Sequence, residues 1–322
     1  MSEYESLMQR AIDLATSRGA RYADIRVVQR LEQELLVKNG IVKAVQSTDS
    51  LGFGVRLLVG NAWGFASSRD LSPAEIERIT LLALEIAAAS AAAHDVPVDL
   101  GPAVTSRGQY ATPLKIDPFS ISLDEKLSLL LAADAVMAKN TGIRTRVGSL
   151  AFLRDHKWFA NSEGAFTEQT LVESGGGLQA VAVGEGEVQT RSYPNSFGRS
   201  QVTAGWEAIL SWDLPGAAER VVSEAVALLT AAPCPAEINT TIILGGDQLA
   251  LQIHESCGHA TELDRVFGSE AAYAGTSFLT TEKLGTFRYG SPVVNLTADS
   301  IRPYGLGTFG WDDEGIPAQS TP

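Results

Sequence analysis

Residues 23–68 read ADIRVVQRLEQELLVKNGIVKAVQSTDSLGFGVRLLVGNAWGFASS, and this stretch decides the fold class. ADIRVVQR, EQELLVK, IVKAVQS, GFGVRLLV and AWGFASS are short runs rich in β-branched residues, which suit a pleated, half-buried surface. The joints between them are turn signals. Asn39-Gly40 suits a type I′ hairpin, in which both central residues need positive φ, and Gly60-Asn61 suits type II′, with glycine first. The pattern predicts an antiparallel sheet over about residues 23–68.

Helices flank this sheet. MSEYESLMQRAIDLATSRGA is a polar amphipathic helix pattern without a basic start or an apolar run, so it carries no secretory signal. Ser72-Pro73-Ala74-Glu75 combines an N-cap, a proline at the first helical position and a capping-box glutamate. It opens a helix through EIERITLLALEIAAASAA that is expected to cover one face of the sheet. The proline- and glycine-punctuated segment 94–117 reads as an inter-domain connection.

A second capping box, Ser122-Leu123-Asp124-Glu125, opens a helix to about Lys139. From Ile143 to Val202 the runs RTRVGSLAFL, AFTEQTLVE and LQAVAVGEGEVQTRS alternate and predict a second sheet. Glycines 175–177, 184 and 186 lack the spacing of a phosphate-cradling loop and are assigned to hairpin turns. A helix over about Ala217–Leu229, the Pro233-Cys234-Pro235 loop, a strand INTTIILG and a helix near an Asp247 N-cap follow. The fold class is α+β, an N-terminal antiparallel sheet with covering helices followed by further strand-rich structure.

At 322 residues, 45% hydrophobic and 20% charged, the chain can bury a sizeable core. A net charge of -13 without clustered Lys and Arg argues against nucleic acid as a partner. The alanine-rich run Leu81–Ala93 carries Glu85 and is too short to span a bilayer, so no membrane is expected. Two cysteines and no signal make a cytoplasmic protein without disulfides the default.

The chemistry concentrates in His254-Glu255-Ser256-Cys257-Gly258-His259. Neutral imidazoles are good Zn²⁺ ligands, and a glutamate beside one can take a proton from water that the metal has acidified. The familiar H-E-x-x-H motif spaces its histidines four apart on one helical face; here they are five apart, about 140° around a regular helix. A bulge, or a helix end passing into other geometry, would bring both rings to one metal, and Gly258 gives the backbone that freedom. The string alone leaves two readings open, a metal site or two ordinary partly buried histidines.

A catalytic zinc usually has three protein ligands, and the nearby candidates are Cys257, Glu262 and Asp264. Cys257 would crowd the tetrahedron, and Glu262 is the better local candidate, with a solvated helix-end carboxylate as its plain alternative. Cys234 is expected to be a small buried residue. His94 and His156 have no metal-ligating partner at suitable spacing and are assigned structural or surface roles. Asp312-Asp313-Glu314-Gly315 lacks the calcium-loop pattern and predicts a turn. A zinc deaminase needs H-x-E followed by P-C-x-x-C, which this chain lacks.

LQIHESCGHATELDRV resembles the metal-site segment of the TldD/PmbA family of metallopeptidases, whose members carry H-E-x-x-x-H. YADIRVVQR, NGIVKAV, GFGVRLLVGNAWGFASS, ANSEGAFTEQ and GTFGWDDEGIPAQ look like family segments in family order, so the resemblance covers nearly the whole chain. It implies that His254 and His259 ligate zinc and that Glu255 activates a zinc-bound water. The third family ligand is a cysteine toward the C-terminus; Cys234 and Cys257 do not occupy its position, and the chain resembles a C-terminally truncated family member. The expected domains are an N-terminal α+β domain over 1–100, a central strand-rich domain over 101–230, and over 231–322 the start of a β-rich metallopeptidase domain. The resemblance further implies short or unfolded peptides as substrates, and a homodimer or a heterodimer with a PmbA/TldE-like subunit. The rival is a non-catalytic subunit that binds a peptide or a partner.

Overall fold

The computed structural model describes residues 4–93, 96–237 and 239–322; His94 and the first residue of the INTTIILG segment lie outside the described residues. The chain divides into two units, residues 1–229 with 298–321, and residues 230–297 with Pro322.

In the first unit, α1 (Glu5–Ser17) leads into three long antiparallel strands, β1 (Tyr22–Lys38), β2 (Ile41–Val59) and β3 (Ala62–Ser68). The runs that look separate in the sequence fuse, because β1 and β2 stay in register from Tyr22↔Leu58 to Lys38↔Ile41 with one irregularity beside Leu36/Val37. Both turn assignments hold where φ tests them: Asn39 and Gly40 sit at 50° and 73°, and Gly60 at 57°. α2 (Pro73–Ala91) starts with Ser72 accepting from the Glu75 amide, as the capping box predicts.

The segment expected as a linker contains β4 (Arg107–Ala111), a short strand parallel to β6 (Phe166–Val183). α3 (Leu123–Met137) follows, capped by Ser122, then β5 (Ile143–Asn161), β6, β7 (Val188–Tyr193), β8 (Ser200–Val202), α4 (Trp206–Trp212) and α5 (Leu214–Leu228). The predicted second sheet is not separate. β5 pairs with the free edge of β1 from Asp24↔Asn161 to Lys38↔Val147, giving one sheet of order β3-β2-β1-β5-β6-β4, with β7 and β8 added to β6. Turn chemistry marks hairpins but says nothing about which distant edges meet.

One face of this sheet carries two apolar layers. Ile25 and Val27 of β1 pack with Met8, Ile12, Ile76 and Ile79 under α1 and α2. Further along the same strand face, Leu35 and Val37 pack with Leu130, Met137, Trp206 and Val221 under α3, α4 and α5. These layers bury whole side chains, each worth about 1.5–3 kcal/mol.

Close approach, not turning, explains the central glycines. Gly175–Gly177 lie inside β6, which corrects their assignment to a hairpin; only 184 and 186 fall in the β6–β7 connection. A Cβ on Gly176 would stand 2.9 Å from Leu150 Cδ2, and one on Gly177 2.3 Å from the Gly198 carbonyl. Gly64 of β3 is tighter still, with a Cβ 2.0 Å from the Ala83 carbonyl of α2. Gly64→Ala should therefore lever α2 off the sheet and cost about 1–3 kcal/mol. A urea unfolding midpoint equal to wild type would show that α2 does not seat on this glycine.

The polar face bears the chain's return. Residues 298–321 pair as β9 (Ala298–Asp299) and β10 (Ser320–Thr321) and include the predicted acidic turn, in which Asp312 Oδ1 accepts from the Glu314 and Ile316 amides and Gly315 takes a φ of 82°. This turn docks by charge. Arg26 donates to the Asp313 carbonyl, Arg56 to Glu314 at 3.3 Å, and Lys157 approaches Asp313 at 3.5 Å. Beneath it, fully buried Asp24 accepts from Arg26 at 2.7 Å and from Arg56 at 2.7 and 2.9 Å.

The second unit is helical and irregular. α6 (Gly246–Ile253) runs into a π turn over His254–Gly258, then α7 (His259–Thr261) and α8 (Leu263–Val266). The strand expected at INTTIILG is absent over the described residues 239–245, where Ile243 is 94% exposed. A strand needs a neighbour for its amides and carbonyls, and this segment has none among the described residues. Among the described residues, no helix is long and apolar enough to cross a membrane.

Candidate metal centre

The backbone solves the five-residue spacing by widening. The His259 amide bonds the carbonyl of His254, five residues back, so the turn holds more residues than an α turn and both rings come to one side. Their centroids lie 4.4 Å apart at 80°. His254, Glu255 and His259 each offer a ligand atom, and these atoms all lie within 4.8 Å of one another.

Glu255 stands between the imidazoles. Its carboxylate oxygens are 3.9 Å from His254 Nε2 and 3.8 Å from His259 Nε2. On its other side the His259 ring donates from Nδ1 to Glu262 Oε1 at 3.2 Å, which keeps the proton on Nδ1 and leaves the Nε2 lone pair free. Arg265 holds Glu262 in turn, and this guanidinium, followed by His259, keeps the Glu262 carboxyl below the usual range. Two imidazoles whose Nε2 atoms face one carboxylate are a donor set that fits a divalent cation.

Of the other candidates, Glu262 thus orients the His259 ring rather than joining the cluster. Asp264 accepts from the Arg265 amide, and Cys257 faces Tyr289, whose hydroxyl it pushes above the usual phenol range. Cys234 is exposed, which corrects the expectation of burial; among the described residues neither apolar core includes its proline-flanked loop. His156 sits on β5 with its ring stacked on Trp158 at 3.8 Å and Nε2 2.9 Å from Glu168 of β6. That acidic partner comes from strand pairing and is invisible in linear spacing. It leaves His156 a structural residue.

Sequence reasoning missed Tyr289. Its hydroxyl donates to the Ser256 carbonyl inside the motif from 33 residues away. Nothing local marks it.

Fold and site define a class, an α+β protein presenting a His-Glu-His cluster suited to a metal ion. The chain belongs to the PmbA/TldD metallopeptidase family: residues 23–91 match PmbA/TldA metallopeptidase domain 1, 116–229 the central domain and 238–322 the C-terminal domain. A metalloprotease of Methanocaldococcus jannaschii is 27% identical over 301 residues, covering 93% of this chain and 63% of that protein. A TldD homolog of Haemophilus influenzae, also a metalloprotease by name, is 24% identical over 321 residues, covering 95% and 61%. The chain thus spans about three-fifths of the length of these relatives. In fold it is similar to a putative modulator of DNA gyrase from Thermotoga maritima, with a TM-score of 0.71, 17% identity, and coverage of 99% of this chain and 68% of that one. TldE from Thermococcus kodakarensis superposes with a TM-score of 0.64 at 16% identity, covering 98% and 66%.

Proposed function

We propose that the protein is a zinc-dependent peptidase in which His254 and His259 hold the metal and Glu255 is the general base. The observation that carries this reading is the gathering of the three side chains within 4.8 Å on a widened turn, in a chain of a metallopeptidase family. A bound zinc ion supplies Lewis acidity toward water and the scissile carbonyl. Glu255, beside both Nε2 atoms, takes the proton of the attacking water and passes it to the leaving amine. Glu262 keeps the His259 ring in one tautomer and orientation throughout.

The family resemblance supplies the finer parts of the proposal. They are a cysteine as third ligand, short or unfolded peptides as substrates, a dimer with itself or with a TldE-like subunit, a cytoplasmic setting, and the division at about residues 100 and 230. Extended peptides pair readily with exposed strand edges, of which a large antiparallel sheet offers two.

Metal content tests the core of the reading. Purified protein should carry zinc in proportion to chain and lose it on His254→Ala. Metal-free wild-type protein that still associates and binds peptide would favour a non-catalytic subunit instead.

A further inference from the structure

We propose that Tyr289 is a positioning residue for the histidine pair, its hydroxyl holding the π turn in the register that brings His254 and His259 together. The proposal rests on the metal-site reading above. A π turn is rare because it loosens the hydrogen-bond ladder, and a relaxed α turn would separate these two rings by about 140°. Something outside the helix must therefore favour the wide form.

Of the four carbonyls between the two histidines, those of Ser256, Cys257 and Gly258 are each met by a side-chain hydroxyl. Thr261 Oγ1 donates to the Cys257 and Gly258 carbonyls at 3.2 and 3.0 Å. Thr261 belongs to the same helical segment and moves with it. Tyr289 does not: it reaches the Ser256 carbonyl from a separate loop.

That loop is itself braced. The Tyr289 ring stacks on Phe278 with centroids 5.9 Å apart and meets Phe287 edge-on at 6.5 Å. Lys283 Nζ lies over the Phe278 and Phe287 rings at 5.5 and 5.2 Å. Ser277, at the start of the loop, donates to the Ala260 carbonyl at 2.6 Å. The loop thus grips the helical segment on both sides of His259, at Ser256 and at Ala260. The aromatic packing holds the ring in place, and the hydroxyl makes the hydrogen bond to the turn.

The test separates hydroxyl from packing. Tyr289→Phe keeps the ring stack and removes the donor; Phe287→Leu disturbs the stack and keeps the donor. Each variant and wild type, as the whole chain, is titrated with Co²⁺, whose visible spectrum reports ligand geometry, and with Zn²⁺ by competition. Tyr289→Phe should bind both metals about 10-fold more weakly or worse, the usual effect of losing a group that orients a ligand, with an altered Co²⁺ spectrum and an unchanged metal-free urea midpoint. Phe287→Leu should stay within about twofold of wild type on the same scale. Equal affinity and spectrum in Tyr289→Phe would overturn the proposal and leave the metal site standing. Equal losses in both variants would also overturn it, since packing would then set the turn. If wild type binds neither metal and His254→Ala changes nothing, the metal-site reading falls, and Tyr289 with it.

Discussion

Glu255→Gln is expected to lower peptide turnover by about 10²–10⁴-fold, the share of a barrier that a positioned base removes, while metal content stays at the wild-type level. Glutamine keeps the shape and the hydrogen-bonding reach of the side chain but cannot accept the proton. The carboxylate oxygens sit 3.8 and 3.9 Å from the two Nε2 atoms, too far to be hydrogen-bonded to either ring, and would lie beside a metal if those nitrogens held one. A carboxylate that served instead as a ligand would give a different result, in which metal and activity are lost together. The measurement is kcat alongside metal per chain, in a preparation that hydrolyses an unstructured peptide. Turnover equal to wild type would remove Glu255 from the mechanism.

The second large effect lies in the other unit. Asp24→Ala should destabilise the fold by about 3 kcal/mol, at the lower end of the range for breaking a buried ion pair. Asp24 has no solvent exposure and accepts from both Arg26 and Arg56. Its loss leaves two guanidiniums side by side with no carboxylate between them. Their side chains are 23% and 28% exposed, so water and Glu314 recover part of the cost. Burial, with Asp24 beside it, holds the Tyr22 hydroxyl above the usual phenol range, so removing Asp24 should relax Tyr22 back toward that range. Urea unfolding measures the loss, and a change under about half a kcal/mol would mean that the pair breaks even against solvation. Because Arg26 and Arg56 also hold the 312–315 turn, Asp24→Ala should increase amide exchange at Glu314 and Ile316 more than in β9.

How much of this was legible depends on range along the chain. Asn39-Gly40, Gly60-Asn61 and the Ser72 and Ser122 caps act over two to four residues, and each appears where its chemistry places it. The merging of the two expected sheets does not act over that range. It comes from β1 meeting β5 more than a hundred residues away, and no turn residue reports it. Gly175–Gly177 resist a sequence reading for the same reason: glycine marks a sharp bend and a crowded contact alike, and only neighbours such as Ser200, Leu150 and Gly198 tell them apart. Cys234 was expected inside because cysteine usually is, but a residue is buried by what lies over it, not by its own polarity alone.

By itself, then, the sequence determined the α+β class, the hairpins and caps, and singled out the candidate trio His254, Glu255 and His259, with a phase that does not fit a regular helix. Composition and spacing suffice for these because each is a property of a few adjacent residues. Only the tertiary structure decided how that phase is resolved. The π turn is the helix's own, but the Ser256 and Ala260 carbonyls that flank His259 are held by Tyr289 and Ser277, and the ring of His259 by Glu262. These holds join segments distant in sequence, and they exist only once the chain has folded.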